Sequence, residues 1–427
     1  MTPIRRPSVR RATSVTPRTR GRRIVVVALC GLLAFGCASS DTDSPAQPAE
    51  PAERTEPAYS TDLPTAEDSA LEARGTIVSS TTDTDFDPSA FPDGTLAATF
   101  VYTSISGVTG DSTDVTGALF LPDEPAPPGG RPVVAYAHGT VGIAPGCAPT
   151  ETSELAGDAG AVSFLLQQGY AVVYTDYQGL SSTVESTPHP YLEPRTAAFD
   201  VIDSVRAARN LDPTLSTRWV AAGASQGGHA AWAAAEYDEI YGDGLELLGA
   251  AVLAPALDIS PVVSRAQNGA LSDGQQALYP MIVEGTAAVD PTIEPSEHLH
   301  GYLGENSADL IACGPDAIVA RTEVTGRIDA GDTTATSEDA AEQLTARLQD
   351  YSLPKTASDT PVLAVYGGAD DIVLPTWTET ALDRACNYGN TVLRVRLEEQ
   401  GHTIEAGSAV GTWIADRFAG TPAPNNC

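Results

Sequence analysis

Three residues of the chain have the types and the order that covalent acyl transfer requires: Ser225, Asp370 and His402. A serine hydroxyl is a weak nucleophile until an imidazole removes its proton, and the imidazole needs an anion to fix its tautomer and stabilise its charge. Ser225 lies in Gly223-Ala224-Ser225-Gln226-Gly227, which matches the G-x-S-x-G pattern of a nucleophilic serine in a sharp turn between a strand and a helix. The sequence therefore predicts a serine nucleophile, a histidine base and an aspartate that orients the histidine.

The segments before these three residues predict strands, because they are short and apolar or alternate between apolar and polar side chains. The three segments are residues 218–222, 361–366 and 393–397. The alanine-rich segment 228–236, after Ser225, favours a helix. Since the carboxyl ends of parallel strands meet at one edge of a sheet, we expect the three side chains to lie together. Asp371 is an alternative to Asp370 as the acid.

Strand-like and helix-like segments also alternate along the rest of the chain. Further strand-like segments are residues 96–105, 115–121, 132–137, 171–176 and 248–253, and residues 196–210 are helix-like. This alternation predicts an α/β fold with a mostly parallel central sheet that is covered by helices on both faces. The segment from about 258 to 353 is too long for a plain connection, so it predicts an inserted, largely helical cap.

Several motifs resemble those of the secretory lipases of fungi and actinobacteria, the family that includes the lipase A type from Candida. They are Ala135-Tyr136-Ala137-His138-Gly139-Thr140, Cys147-Ala148-Pro149, Asp176-Tyr177-Gln178-Gly179-Leu180 and His189-Pro190-Tyr191-Leu192. The resemblance covers about residues 90–427 and implies an α/β-hydrolase fold that acts on lipid or short acyl esters. The family's acid begins an Asp-x-x-Val stretch, which favours Asp370 over Asp371, although Leu374 departs from the family pattern.

An acyl-transfer site also needs hydrogen-bond donors for the oxyanion of the tetrahedral intermediate. The backbone N–H of Gln226, directly after the nucleophile, is one candidate donor. The loop after His138 supplies the other, with Gly139 and Thr140 as candidates, and the resemblance implies Thr140 with its hydroxyl. The alternative for this loop is an ordinary turn at the end of a strand.

The first 37 residues predict an export signal. Eight arginines precede residue 24, and residues 24–35 form an apolar run that is too short for a membrane span. The sequence that ends at Cys37 resembles a bacterial lipobox, which favours lipidation of Cys37, and ordinary secretion with nearby cleavage is the alternative. Arg22-Arg23 is compatible with a twin-arginine signal, so the export route stays open.

Residues 38–80 are predicted to be a flexible tether, because Ser, Thr, Pro, Asp and Glu are frequent there. Residues 81–427 are predicted to form the catalytic domain, with the cap inserted at about 258–353. We therefore expect an exported protein, either extracellular or held at the cell surface. The only membrane contact expected is through the N-terminal lipid anchor.

Apart from Cys30 and Cys37, four cysteines remain in the chain: Cys147, Cys313, Cys386 and Cys427. An even number of cysteines in an exported chain indicates disulfides, and four cysteines allow three pairings. The resemblance implies that Cys147 pairs with Cys313, which would join the oxyanion region to the cap, and that Cys386 pairs with Cys427.

The net charge of the chain is −32, and without the export segment 16 basic residues face 56 acidic ones, a charge of about −40. This charge disfavours nucleic acid as a partner. The sequence lacks zinc-ligand spacing, and we interpret His298-Leu299-His300 as a surface turn. No metal and no cofactor are predicted.

The sequence thus predicts a carboxylic-ester hydrolase that works through an acyl-enzyme on Ser225. Acyl transfer to an alcohol and peptide hydrolysis are alternatives for the same three residues, and a non-catalytic lipid-binding lipoprotein is an alternative of another class. In the cap, an apolar segment is predicted to form the cap's own core, with an acyl pocket as the alternative. Its residues are Tyr279, Met281, Ile282 and Val283.

Overall fold

A computed structural model describes residues 63–185 and 187–427 of the chain. In these residues nine strands form one sheet in the order β1-β2-β3-β5-β4-β6-β7-β8-β9. The strands are β1 (Ile77–Thr81), β2 (Leu96–Ile105), β3 (Ser112–Leu121), β4 (Arg131–Ala137), β5 (Ala171–Thr175), β6 (Leu215–Ala224), β7 (Glu246–Leu253), β8 (Val362–Gly367) and β9 (Val392–Leu397). Strands β4 to β9 are parallel, and β1 to β3 extend the sheet in antiparallel pairs. The predicted mostly parallel sheet is confirmed.

Helices cover both faces of the sheet. Outside the insertion they are α1 (Asp68–Ala73), α2 (Ala159–Gln167), α3 (Pro194–Leu211), α4 (Gln226–Tyr241), α10 (Pro375–Tyr388) and α11 (Ser408–Phe418). Alternate side chains of β6 point to opposite faces, as the pleat requires: Trp219 packs in the cluster that includes α3 and α4, and Val220 packs in the cluster that includes α2 and α11. The strand is buried on both sides, which is why its sequence is apolar.

The insertion lies between β7 and β8 and is helical, as the sequence predicts. Its helices are α5 (Pro261–Gln267), α6 (Asp273–Ala287), α7 (Gly301–Ile311), α8 (Gly314–Thr325) and α9 (Glu338–Tyr351). These helices bury an apolar cluster that also takes in Tyr191, Leu192 and Val373 of the catalytic domain, so the insertion is a folded cap that packs on that domain.

The predicted tether extends too far toward the carboxyl terminus. Helix α1 buries Ala70 in the core, and β1 pairs with β2 through contacts such as Ser79 with Val101, so the ordered domain begins before residue 80. The strand was missed because it lies at the edge of the sheet, where four of its five residues are exposed and the apolar alternation is lost. The predicted export segment, Cys37 and residues 38–62 lie outside the described residues.

The interpretation of residues 298–300 as a surface turn is wrong. His298 and Leu299 are buried in the cap, and burial lowers the pKa of the His298 imidazole to about 4. Among the residues that the structure describes, no group of three or more His, Cys, Asp or Glu side chains is arranged to hold a metal ion. No helix in this part of the chain combines the length and apolar character needed to cross a membrane.

Candidate active site

Ser225 lies in the turn between β6 and α4, at the carboxyl edge of the sheet. Its backbone has φ 55° and ψ −117°, a conformation that non-glycine residues rarely adopt. Hydrogen bonds hold it on both sides: the Ser225 N–H donates to the Leu253 carbonyl (2.9 Å), and the Ser225 carbonyl accepts from the N–H groups of His229 (3.0 Å) and Ala256 (3.2 Å). The surrounding backbone therefore fixes a strained turn that carries the hydroxyl.

Two glycines of the motif allow this turn because they let the backbones of β4, β6 and α4 meet. A Cβ atom on Gly223 would lie 2.3 Å from the Gly227 carbonyl oxygen, and a Cβ atom on Gly227 would lie 1.9 Å from the Ala137 carbonyl oxygen. Neither position can hold a side chain without movement of the backbone. Ala137 is paired with Gly223 in the sheet, so the end of β4 lies beside the serine turn.

Replacement of Gly227 by alanine is therefore expected to lower the free energy of unfolding by about 3 kcal/mol or more, because the new methyl group meets backbone atoms of β4. The matched control is Gly160→Ala in α2, where an added Cβ meets nothing within 4 Å. That variant is expected to change stability by no more than about 1 kcal/mol, in the stabilising direction. Urea unfolding of both variants measures the difference, and equal stabilities would contradict the packing argument.

The structure brings the three predicted residues into one hydrogen-bonded chain. His402 Nε2 lies 2.8 Å from Ser225 Oγ, and His402 Nδ1 lies 2.8 Å from Asp370 Oδ2. Asp370 follows β8 and His402 follows β9, so adjacent parallel strands deliver the acid and the base to the same edge. The His402 side chain is 20% exposed and the Asp370 side chain 2%, so the buried carboxylate supports an imidazole that still reaches solvent.

Asp370, and not its neighbour Asp371, lies against the histidine. The other carboxylate oxygen, Asp370 Oδ1, accepts from the backbone N–H groups of Ile372 (2.9 Å) and Val373 (3.0 Å). Asp371 is exposed. Because both oxygens of Asp370 are engaged, its carboxylate has one orientation toward His402.

The candidate oxyanion residues lie on both sides of the serine. Gln226 is the first residue of α4, and the first N–H groups of a helix have no acceptor within the helix. On the other side, a Cβ atom on Gly139 would lie 4.0 Å from the Cβ of Ser225, which places this loop against the nucleophile. Thr140 Oγ1 lies 2.7 Å from the hydroxyl oxygen of Tyr191. The segment after β4 therefore contacts the serine turn and is more than an isolated loop.

Two residues of the motif at 189–192 contact these candidates, and sequence reasoning gave them no role. Tyr191 contacts Thr140 as described, and His189 Nε2 lies 2.9 Å from Gln226 Nε2, while His189 Nδ1 lies 2.8 Å from the Gln178 carbonyl oxygen. The amide of Gln226 donates to His189 Nε2, so the neutral imidazole donates from Nδ1 to the carbonyl. The motif at 189–192 was the sequence signal for these two residues. It could not indicate which atoms they contact, because those contacts form only in the fold.

His189 contributes stability that is lost as the pH falls from about 6.5 to 4. Burial lowers the pKa of its imidazole to about 4, so in this range the unfolded chain binds a proton that the folded chain does not. Folding is therefore favoured above pH 6.5 and loses this contribution as the pH falls. His189→Gln is expected to reduce the slope of unfolding free energy by up to about 1.4 kcal/mol per pH unit. Urea titrations from pH 4 to 7 measure the slope, and an unchanged slope would contradict the assignment.

A small apolar cavity of about 30 Å³ lies between Ser225 and the cap. Cap residues Leu278 and Ile282 line it, together with Tyr191 and Trp377 of the catalytic domain. Of the apolar cap segment considered in the sequence, Ile282 reaches this cavity. The whole segment also belongs to the buried apolar cluster of the cap. The prediction that this segment forms the cap's own core therefore holds, and Ile282 also faces the site.

Two disulfides stabilise the connections around the site. Cys147 is bonded to Cys313 and Cys386 to Cys427, which are the pairings that the resemblance implies. The first disulfide joins the loop after β4 to the junction of α7 and α8, and the backbone N–H of Ile143 donates to the Ile311 carbonyl nearby (2.9 Å). The cap is thus linked covalently to the segment that contacts the serine turn.

The sheet order, the inserted helical cap and the serine turn define an α/β-hydrolase fold. Comparison with solved structures agrees. Candida antarctica lipase A has a TM-score of 0.65 and 17% identity, with coverage of 84% of this chain and 85% of that one. The esterase LipA of Xanthomonas oryzae, described as degrading rice cell walls, has a TM-score of 0.61 and 21% identity, with coverage of 81% and 95%. A Legionella pneumophila hydrolase has a TM-score of 0.64, 17% identity, and coverage of 81% and 97%.

The family model described as Secretory lipase matches residues 147–426, and the chain belongs to this family. The protein is therefore a hydrolase of the lipase and esterase type. The family assignment and the two disulfides indicate an exported protein. A comparison with curated proteins finds no match.

Proposed function

We propose that the protein hydrolyses carboxylic esters through a covalent acyl-enzyme on Ser225. The observation that carries this proposal is the continuous hydrogen-bonded chain from Ser225 Oγ through the His402 imidazole to Asp370, with 2.8 Å at each contact. Both distances lie within the range needed for proton transfer between a nucleophile, a base and an orienting acid.

In the first half of the reaction, His402 Nε2 takes the hydroxyl proton while Ser225 Oγ attacks the ester carbonyl carbon. The negative charge that develops on the carbonyl oxygen is stabilised by the N–H of Gln226 and by donors of the loop at Gly139 and Thr140. His402 then gives its proton to the departing alkoxide, and the alcohol leaves the acyl group on the serine. Asp370 keeps the proton of His402 Nδ1 in place throughout.

In the second half, water enters and His402 Nε2 accepts its proton. The resulting hydroxide attacks the acyl carbon, and the proton returns to Ser225 Oγ as the acid is released. The partly exposed position of His402 suits this step, because the imidazole must face both the buried acid and incoming solvent. An alcohol in place of water would give acyl transfer, so competition between water and added alcohol separates the two reactions.

We further propose that short acyl groups are the preferred substrates. The cavity beside Ser225 is only about 30 Å³, and its lining is mostly apolar. Hydrolysis of p-nitrophenyl esters from acetate to palmitate tests both proposals. We expect the highest kcat/KM between acetate and butyrate. A maximum at long chains would reject the size argument, and no hydrolysis of any ester by the folded protein would reject ester hydrolysis.

We also propose that the exported enzyme is anchored to the cell surface by a lipid on Cys37. The lipobox-like sequence and the acidic, proline-rich segment after it support this arrangement. Fractionation of cells that express the full chain and Cys37→Ala is the test. Release of the variant into the medium is the expected result, and equal partition of the two proteins would indicate ordinary secretion.

A further inference from the structure

The amino-terminal end of cap helix α6 packs directly on the loop that carries the acid of the site. Ser272 Oγ donates to the Asp371 carbonyl (2.8 Å), and Gln275 Nε2 donates to the Ile372 carbonyl (2.9 Å). The contact is close, because a Cβ atom on Gly274 would lie 2.8 Å from the Ile372 side chain. These residues are almost a hundred positions apart in the chain, so the contact joins the cap to the sheet domain.

The side chain of Gln275 has a single available orientation. It is 2% exposed, and its Oε1 accepts from Arg265 Nε (2.8 Å) and from the N–H of Ser272 (3.2 Å). The Ser272 hydroxyl in turn accepts from the N–H of Gln275 (3.1 Å), which completes a capping box. Since the amide oxygen is held by two donors, the amide nitrogen must face the Ile372 carbonyl.

The carbonyls that the cap holds belong to the same peptide units as the amides that bind Asp370. In the peptide between residues 371 and 372, the C=O accepts from Ser272 and the N–H donates to Asp370 Oδ1. In the next peptide, the Ile372 C=O accepts from Gln275 and the Val373 N–H donates to the same oxygen. A trans peptide is planar, with C=O and N–H on opposite sides. Fixing each carbonyl therefore fixes the direction of the N–H that binds the carboxylate.

We propose that Gln275, together with Ser272, is a positioning residue for the acid, so that the cap aligns Asp370 with His402. This inference rests on the proposed function, in which Asp370 orients the base. It assigns helix α6 a second task besides lining the cavity. The hydrogen-bonded chain is fully aligned only while the amino-terminal end of α6 is docked on the acid loop, so substrates enter without displacing that end of the helix.

The test compares Gln275→Met with Gln276→Met. Both variants replace a glutamine in the first two turns of α6 by a side chain of similar length, but Gln276 Nε2 donates to the Leu271 carbonyl within the cap and not to the acid loop. For Gln275→Met we expect kcat on p-nitrophenyl acetate to fall about tenfold, since orientation of the base is impaired. Gln275 also lines the cavity beside Ser225, but methionine keeps a side chain of similar length there, so KM should change less than twofold. Gln276→Met is expected to remain within twofold of the wild type in both constants.

A second measurement does not depend on turnover. The proton between His402 Nδ1 and Asp370 should give a far-downfield ¹H NMR signal, identified by its absence in His402→Ala. We expect it to weaken or move upfield in Gln275→Met and to stay unchanged in Gln276→Met. If the wild type shows this signal but no hydrolysis, the proposed function fails while the signal still decides the positioning role.

Several results would overturn the inference. They are an unchanged kcat and NMR signal in Gln275→Met, equal effects in the two methionine variants, or a change confined to KM, which would assign Gln275 to substrate binding. If Gln275→Met does not fold, Ser272→Gly provides the test, because glycine is tolerated at the start of a helix while the hydroxyl donor to Asp371 is lost. A folded Ser272→Gly protein with unchanged kcat and signal would also overturn it.

Discussion

Replacement of Ser225 by alanine is expected to lower kcat for ester hydrolysis by roughly 10⁶-fold. The variant removes the atom that attacks the carbonyl, and no other hydroxyl is hydrogen-bonded to His402 Nε2 in the part of the chain that the structure describes. His402→Ala should cause a loss of similar size, because the serine then keeps its proton. Initial rates with p-nitrophenyl butyrate, measured on proteins of matched purity, give the comparison.

The double variant distinguishes a shared mechanism from two separate defects. Residues that act as one unit give losses that are not additive, so Ser225→Ala with His402→Ala should be no slower than either single variant. Near-ultraviolet circular dichroism verifies that each variant keeps its packing. A folded Ser225→Ala protein that retains a tenth of the wild-type rate would rule out Ser225 as the nucleophile.

Replacement of Asp370 by asparagine should lower kcat by about 10⁴-fold. The amide removes the negative charge, and its NH₂ group can no longer accept the proton of His402 Nδ1 when it replaces Oδ2, so the wrong tautomer faces the serine. Asp371→Asn is the matched control, because it makes the same chemical change one residue along the same loop, at an exposed side chain. The kcat of Asp371→Asn should stay within about twofold of the wild-type value.

The pair of variants decides between the two aspartates that the sequence left open. A larger loss in Asp371→Asn than in Asp370→Asn would contradict the arrangement of the acid loop. Equal, small decreases of kcat in the two variants would mean that neither carboxylate orients the base. KM should change little in either variant, since neither carboxylate contacts the cavity beside Ser225.

Much of the site could be predicted because its parts are encoded locally. The serine turn has a compact motif, since close backbone packing at Gly223 and Gly227 excludes any side chain. The acid and the base each follow a short apolar strand, and parallel strands bring such loops to one edge. Local sequence therefore indicated Ser225, Asp370 and His402 before their contacts were known.

The parts that sequence reasoning missed depend on contacts between distant segments. The Gln275 contact with Ile372 spans 97 positions and the His189 contact with Gln226 spans 37, and neither leaves a local pattern. Strand β1 was assigned to the tether because an exposed edge strand lacks apolar alternation. His298 was placed on the surface because its burial is created by packing within the cap.

The cap supports the residues of the site as well as covering them. At one side α6 holds the two peptides that bind Asp370, and at the other the Cys147–Cys313 disulfide holds the loop that contains Gly139 and Thr140. The acid and the candidate oxyanion donors are therefore both supported by the insertion. The sequence of the cap must therefore preserve these contacts as well as form any surface that selects the substrate.

Labelling with a fluorophosphonate, followed by mass spectrometry of the peptide that carries the adduct, tests the central claim most directly. The reagent forms a stable bond to a serine only where a base activates the hydroxyl, so it reports on the nucleophile without choosing a substrate. We predict one adduct, on Ser225, formed by the wild type and lost in His402→Ala. An adduct on another serine, or no adduct on a folded protein, would contradict the assignment of Ser225 as an activated nucleophile.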